Sequence, residues 1–382
     1  MRALTVALAA LALAAPAAAA SGRVAFVSRG QVIVLDLATG TERVALAHAG
    51  TGPVRWSGDG RRVSAGGRIE NGPVLPAADV VWAPSGERLA YVTKRGGVDT
   101  WTPAAGRRTL LPAGWGATSL AWGPHGELAV GRSVCHAPCG VPLHQGVWLL
   151  SGGKLRRVTG RLGGVQLPIV SGFDAQGRVL WWPDPQGSGS IAADGLWLHA
   201  NRRTIAPTLV YSDFVVRCGA HLALAAGGDR YATHGKRIVV DGRDVSRDTR
   251  LSWVSPSCSP DGRTLVAAAG RNWEEPRIGS GERRSIWQLL PARVRLTHPP
   301  AGWTDEAPQL LADRSILFVR TRQTSRKHGD TWITTTRGRL ELLSHGRLTQ
   351  LADLTTTAAD TSGAFLNYYG HYTWPSLVAV TG

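Results

Sequence analysis

Short apolar runs separated by compact polar turns recur along this chain. Seven times a run ends in a residue that is often aromatic, turns on a short polar stretch that usually carries glycine, and enters a second apolar run. The copies are Val54-Arg55-Trp56-Ser57-Gly58-Asp59-Gly60, Val81-Trp82-Ala83-Pro84-Ser85-Gly86, Ala121-Trp122-Gly123-Pro124-His125-Gly126, Gly172-Phe173-Asp174-Ala175-Gln176-Gly177, Arg217-Cys218-Gly219-Ala220-His221, Ser257-Cys258-Ser259-Pro260-Asp261-Gly262 and Gln309-Leu310-Leu311-Ala312-Asp313-Arg314. Strand-like sequence follows each, as in Arg88-Leu89-Ala90-Tyr91-Val92 and Thr264-Leu265-Val266-Ala267. Proline fixes one dihedral of such a turn, aspartate accepts from its own backbone, and glycine takes positive φ. Each copy therefore predicts a β-hairpin, and helical periodicity is weak throughout.

The marker residues 56, 82, 122, 173, 218, 258 and 310 lie 26, 40, 51, 45, 40 and 52 residues apart. A four-stranded propeller blade takes roughly 40 to 50 residues, so every interval but the first fits one blade. The first reads either as a truncated blade or as an inserted hairpin. The predicted fold is all-β, a single β-propeller of about seven four-stranded blades, with six or eight as the bounds. The start of the chain supplies three strands without a marker, in Val24-Ala25-Phe26-Val27, Val32-Ile33-Val34-Leu35 and Arg43-Val44-Ala45-Leu46. The end supplies Tyr372-Thr373-Trp374 followed by Leu377-Val378-Ala379-Val380. The two ends are expected to share one blade, because a propeller completed from both termini leaves no open sheet edge.

The pattern apolar-x-Trp-Ser-Pro-Asp-Gly-Arg/Lys-x-apolar-Ala resembles the repeat of TolB-type β-propellers. Cys258-Ser259-Pro260-Asp261-Gly262-Arg263-Thr264-Leu265-Val266-Ala267 follows it with cysteine in place of tryptophan, and Trp82-Ala83-Pro84-Ser85-Gly86-Glu87-Arg88-Leu89-Ala90-Tyr91 is almost as close. The repeat is carried by Trp56, Asp59, Gly60, Trp82, Pro84, Gly86, Trp122, Phe173, Asp261 and Gly262. In the Tol-Pal envelope protein the propeller follows an α/β domain, for which there is no room before Arg23. The resemblance thus implies the propeller alone.

Residues 1–20 combine Arg2, an apolar stretch from Leu4 to Ala15, and Ala18-Ala19-Ala20 before Ser21. This is the layout of a secretory signal peptide cleaved after Ala20, and it leaves residues 21–382 as one TolB-like propeller domain. The apolar stretch is short and alanine-rich for a membrane span, and no cysteine at the cleavage site offers a lipid anchor. The expected location is periplasmic, cell-envelope or extracellular.

The net charge of +16 changes this picture little, because the basic residues are scattered in ones and twos. A nucleic-acid footprint needs clustering beside exposed aromatics. No specific nucleic-acid partner is expected. The expected partners are a protein or an envelope polymer, with weak attraction to anionic surfaces, and the protein is read as a monomer.

Four cysteines in an exported chain can pair. Cys135 and Cys139 are spaced for a local disulfide. Cys218 and Cys258 share the marker position in successive copies and should sit on neighbouring blades, where they either bond, given a Cα separation below about 7 Å, or each replace the aromatic as a small apolar residue. Cys135, His136, Cys139 and His144 lack the second paired half of a structural zinc site. No metal and no cofactor are expected.

The Gly-x-Ser-x-Gly elbow, the zinc-peptidase helix motif, the dinucleotide fingerprint and the Walker loop are all missing from the sequence. Asp59-Gly60 and Asp261-Gly262 are adjacent pairs, as a hairpin turn wants, unlike sialidase Asp boxes. His125 and His221 occupy matching turn positions. Trp181-Trp182 and Trp273-Glu274-Glu275 could stack on sugars, against the commoner role of inter-blade packing. No catalytic residue is assigned. The resulting reading is an exported, non-enzymatic binding or scaffold propeller. The alternatives are a hydrolase, glycosidase or lyase whose groups meet at the channel mouth, and a carbohydrate-binding lectin. Candidate recognition loops are 132–146, 183–195, 271–285 and 320–332, the last carrying Arg320, Arg322, Arg326, Lys327 and His328.

Overall fold

The computed structural model describes residues 22–49, 52–134, 143–160, 162, 166–185, 197–207, 215–227, 234–272, 283–328, 331–354 and 377–381. The leader sequence, Cys135 with His136 and Cys139, Trp273-Glu274-Glu275 and Tyr372-Thr373-Trp374 lie outside these residues.

The described strands make eight antiparallel sheets, seven of four strands and one of three, arranged as the blades of a propeller ring. The inner strands of blades 2 to 8 are Val54–Trp56, Val81–Trp82, Ala117–Trp122, Gln166–Phe173, Val215–Cys218, Leu251–Cys258 and Thr304–Leu310. Every one ends on a marker residue. The blade count is eight because the short first interval is a blade in its own right. Blade 2 has strands of only three, three and two residues, and a single bridge between Arg68 and Val74 stands in place of its outer strand.

Blade 1 is built from both ends of the chain. Its strands Arg23–Ser28, Gln31–Asp36 and Glu42–Leu46 come from the start, and Val378–Val380 supplies the inner edge. The pairing is antiparallel, with Val24, Ala25 and Phe26 opposite Val380, Ala379 and Val378.

Six of the seven marker turns share one geometry, the exception being blade 6, where Gly219 directly after Cys218 takes the left-handed conformation and Cys218 pairs with His221. Four residues beyond the marker the chain enters the left-handed region, at Gly60, Gly86, Gly126, Gly177 and Gly262, with φ between 67° and 84°. The N–H of Gly60, Gly126, Gly177 and Gly262 closes the turn on the carbonyl three residues earlier. Blade 8 has the same backbone at Arg314, φ 67°, without the glycine. A side chain in this conformation costs roughly 1–2 kcal/mol, less the entropy that glycine loses on folding. Arg314→Gly is therefore expected to raise stability by about 0.5 kcal/mol. Gly262→Ala is expected to lower it by roughly 1–2 kcal/mol, since the new Cβ would also stand 2.8 Å from the Cys218 carbonyl oxygen. Denaturant melts of the two variants check both signs.

The markers also join each blade to the one before it. The Trp56 indole N–H donates to the Ala379 carbonyl of blade 1 at 3.1 Å, Trp82 to the Ser64 hydroxyl of blade 2 at 2.9 Å, and Trp122 to the Val81 carbonyl of blade 3 at 3.0 Å. Arg23 and Arg88 lie over the rings of Trp56 and Trp122. Phe173 is buried among Ala129, Val147 and Leu149 of blade 4. Between blades 6 and 7 the same job is covalent: Cys218 and Cys258 form a disulfide, with their Cα atoms 5.6 Å apart. At the seam of blades 7 and 8, Leu310 N–H donates to the Ser257 hydroxyl at 2.9 Å.

Antiparallel alternation puts all first-to-second and third-to-fourth strand connections at one end of the channel. The marker turns are there, all of them short. Second-to-third connections and the links to the next blade run from the opposite end, where the described strand ends flanking the candidate loops 132–146, 183–195 and 271–285 lie, though the middle of each of those loops is outside the described residues. The segment 320–332 is a correction. Its described residues, 320–328 and 331–332, are strand, not loop, in the long hairpin Ile316–His328 with Thr331–Ser344, paired without a break from Ile316 opposite Leu343 to His328 opposite Thr331.

Candidate functional site

The ring encloses a cavity of about 1140 Å³ along the channel, walled by the inner strands of blades 1 to 5. Strand alternation turns every second side chain of an inner strand toward a neighbouring blade, so the walls are formed largely by small and apolar groups of Val54, Val81, Leu120, Ile169 and Ala379 with the edges of Trp56, Trp82 and Trp122. Thr118 and Ser119 also line the cavity, but their hydroxyls donate to the Pro168 carbonyl at 3.2 and 3.1 Å, and Ser119 accepts from Val170 N–H. They serve the seam of blades 4 and 5.

Charge is confined to the long-connection end. Arg55 donates through Nε and Nη2 to Asp79 at 3.1 and 2.9 Å, joining the inner strand of blade 2 to the link that precedes blade 3. Both side chains are 42 % exposed, so the pair is wet and its contribution to stability small. Thr93 and Lys94, where the second strand of blade 3 turns into the third, and Ser171, on the inner strand of blade 5, add to the polar lining. Asp79 is the carboxylate of the cavity wall, and no histidine lines it among the described residues.

Carboxylates do gather at the same end of blade 8, and two of them, Asp305 and Glu306, are held by arginine. Asp305, fully buried, receives Arg320 Nε and Nη2 at 2.6 and 2.9 Å. Glu306, also fully buried, receives Arg284 from blade 7 at 2.8 Å. Burial pushes the Glu341 carboxyl above its usual range, against the pull of Arg320 and Arg339. Removing one partner from such pairs leaves an uncompensated buried charge; the Arg284–Glu306 pair crosses the seam of blades 7 and 8, while Arg320, read from sequence as part of a basic loop, ties two strands within blade 8. Among the described residues no three His, Cys, Asp or Glu side chains come together as a metal set.

The sequence-derived positions fall mostly away from the polar end. Trp56, Trp82 and Trp122 are seam residues with an edge on the channel, and Pro84 lines it near the short-turn end. Asp59 and Asp261 each accept from a serine hydroxyl and a backbone N–H of their own turn. The Ser259 hydroxyl and the Arg263 N–H hold the Asp261 carboxyl below its usual range. Gly60, Gly86 and Gly262 are the left-handed turn positions. His125 is exposed in its turn, and His221 bonds through Nδ1 to Asp241 at 2.5 Å. Trp181 and Trp182 are 3 % and 4 % exposed, and Trp181 stacks on His199 and donates to the Asn201 carbonyl. Arg55, Asp79, Lys94 and Ser171 were missed. They lie on different blades, and nothing in local spacing links them.

No family model matches the chain, and no curated protein matches it. Solved structures share its fold. TolB from Acinetobacter baumannii is 13% identical with a TM-score of 0.36, over 88% of this chain and 64% of that one. A putative TolB from Agrobacterium tumefaciens is 13% identical with a TM-score of 0.37, over 94% and 97%. Pyrococcus horikoshii acylaminoacyl peptidase is 10% identical with a TM-score of 0.44, over 85% and 48%. The chain therefore spans less than two thirds of the Acinetobacter protein and about half of the peptidase. At such identities the likeness is one of fold. On its own strand order the chain is, over the described residues, a β-propeller of eight blades.

Proposed function

We propose that this protein is an exported, non-enzymatic propeller that binds a ligand or partner segment at the long-connection end of its channel. The observation that carries the reading is the cavity itself: apolar walls deep in the ring and a few polar groups, Arg55, Asp79, Lys94 and Ser171, around it. That division suits recognition, in which apolar surface supplies affinity and sparse polar groups supply orientation. Long connections on a rigid scaffold are also where recognition is usually placed. Asp79, Asp305 and Glu306 are each engaged by an arginine rather than facing one another across a common substrate position, which argues against them as an acid–base pair. Export rests on the leader sequence and agrees with the disulfide.

A thermal-shift screen of residues 21–382 against unbranched glycans, peptides, anionic lipids and divalent metals, with chelator controls, tests the reading. Saturable stabilisation by a peptide or glycan is the expected result. Stabilisation by a metal alone, or turnover of any panel member, would replace it with an enzymatic one.

A further inference from the structure

Every turn at the short-turn end of the ring lies within the described residues. The fourth strand of each four-stranded blade starts at that end, and in blades 4 to 8 it starts on or directly after a cation. Lys154, Arg203, Arg243 and Arg347 open their strands, and Arg293 immediately precedes Val294–Arg295. All five are exposed. Nearer the channel, Arg217, Arg263 and Arg314 stand exposed in or beside the marker turns of blades 6 to 8. The cations thus form an outer arc on the fourth strands and an inner arc on the marker turns.

The acids at this end of the same blades are tied to the backbone. Asp174, Asp241, Asp244, Asp261 and Asp313 each accept from at least one nearby main-chain N–H, and Glu127 accepts from that of His125. A short carboxylate bonded in this way is held close to the turn, whereas an arginine or lysine head stands at the end of a long stem. A surface approaching this end therefore meets guanidinium and ammonium groups first, and their field attracts negative charge.

Exposed aliphatic side chains accompany the outer arc. Leu155, Val294 and Leu348 are 38%, 48% and 41% exposed, and each directly follows a cation of that arc, Lys154, Arg293 or Arg347. With Val44, which follows Arg43 in blade 1, they are four of the five large apolar residues exposed among the described residues. Cations beside exposed aliphatic groups match a bilayer surface, where phosphodiesters meet the cations and the acyl boundary takes the aliphatic groups. A soluble polyanion offers the first and not the second. The charges are also spread over five blades on a face of short turns, which suits a plane of headgroups better than a single chain.

We infer that the short-turn end of blades 4 to 8 docks on the headgroup layer of an anionic phospholipid membrane. Docked in this way, the ring turns the long-connection end of its channel away from the bilayer. The docking does not rest on the channel reading, which stands or falls on ligand titration.

Sedimentation of the chain from residue 21 with vesicles of phosphatidylcholine, alone or mixed with phosphatidylglycerol, tests it. The protein should sediment with the mixed vesicles at low salt, be released at high salt, and stay in solution with phosphatidylcholine alone. A triple variant, Arg203→Gln with Arg243→Gln and Arg347→Gln, should bind the mixed vesicles at least tenfold more weakly. A second triple variant, Arg29→Gln with Arg95→Gln and Arg322→Gln, removes the same charge from exposed positions at the long-connection end and should change binding less than twofold. Melting curves report whether the variants fold, and if either triple variant does not, Arg243→Gln against Arg95→Gln carries the comparison with a smaller loss. No sedimentation with the mixed vesicles, or equal weakening by substitutions at the two ends, overturns the assignment. Saturable binding of soluble polyphosphate without binding of vesicles overturns it as well, and gives the face to a polymer.

Discussion

Removing residues 377–382 should open the ring and lower the stability of the folded protein by roughly 5 kcal/mol or more. The estimate follows from what Val378–Val380 touches. Val378 is 3% exposed within the largest core cluster, beside Phe26, Leu310 and Ile316, and burying a valine contributes about 2 kcal/mol. The strand completes a three-residue ladder with Val24–Phe26. Trp56 donates to the Ala379 carbonyl, while Arg23 and Thr381 exchange bonds through the Arg23 N–H to the Thr381 hydroxyl and the Thr381 N–H to the Arg23 carbonyl, both 2.9 Å. At roughly 1 kcal/mol for each hydrogen bond lost, these exceed the contribution of the valine. Blades 1, 2 and 8 would lose a shared inner edge together. The melting temperature should fall by on the order of 10 °C, and an unchanged melt would show that the ring does not depend on this strand.

The second large effect is expected at the seam of blades 6 and 7. Cys218 and Cys258 close a loop with a sequence separation of 40, which in the chain-entropy account stabilises by about 4 kcal/mol. Where tryptophan occupies the marker, its indole makes one hydrogen bond across the seam worth roughly 1 kcal/mol, joined at Trp56 and Trp122 by an arginine over the ring worth about 0.5–1 kcal/mol, so the covalent form is the strongest of the marker links. Cys218→Ser, Cys258→Ser and the double variant should each lose a similar amount, since one broken bond accounts for all three. With Cys135 and Cys139 replaced by serine throughout, reductant should lower the protein that keeps Cys218 and Cys258 to the same level and leave the variants unchanged. In that background a reductant-insensitive melt, or thiols that react in the native protein, would contradict the pairing.

Much of the fold was legible because its information is local. Ser259-Pro260-Asp261-Gly262 encodes a turn through its own backbone chemistry, whatever surrounds it. Seven such turns at blade spacing place seven inner strands. Val378-Ala379-Val380 could be assigned to blade 1 because an open sheet edge is a liability that a propeller avoids. The short interval from Trp56 to Trp82 left the count between values, since a blade of two- and three-residue strands falls below what spacing alone defines.

What stayed hidden depends on pairs drawn from distant parts of the chain. Arg320 looked like one of several cations in a polar loop. Its partner Asp305 sits opposite it in the inner strand, and the polar residues that follow extend a hairpin rather than leave the sheet. Arg55 and Asp79 belong to different blades, as do Arg284 and Glu306, so no spacing rule connects them.

The central claim is that ligand enters the channel, and a plugged channel tests it most directly. Ser171 lines the cavity from the inner strand of blade 5, and Ser171→Trp would fill part of it with an indole while leaving the marker turns and seams untouched. Parallel titrations of the unaltered protein and this variant, with the strongest peptide or glycan from the thermal-shift screen, should show saturable binding in the first and at least a tenfold loss in the second at an unchanged melting temperature without ligand. Equal binding by both proteins would place recognition elsewhere on the molecule and contradict the account.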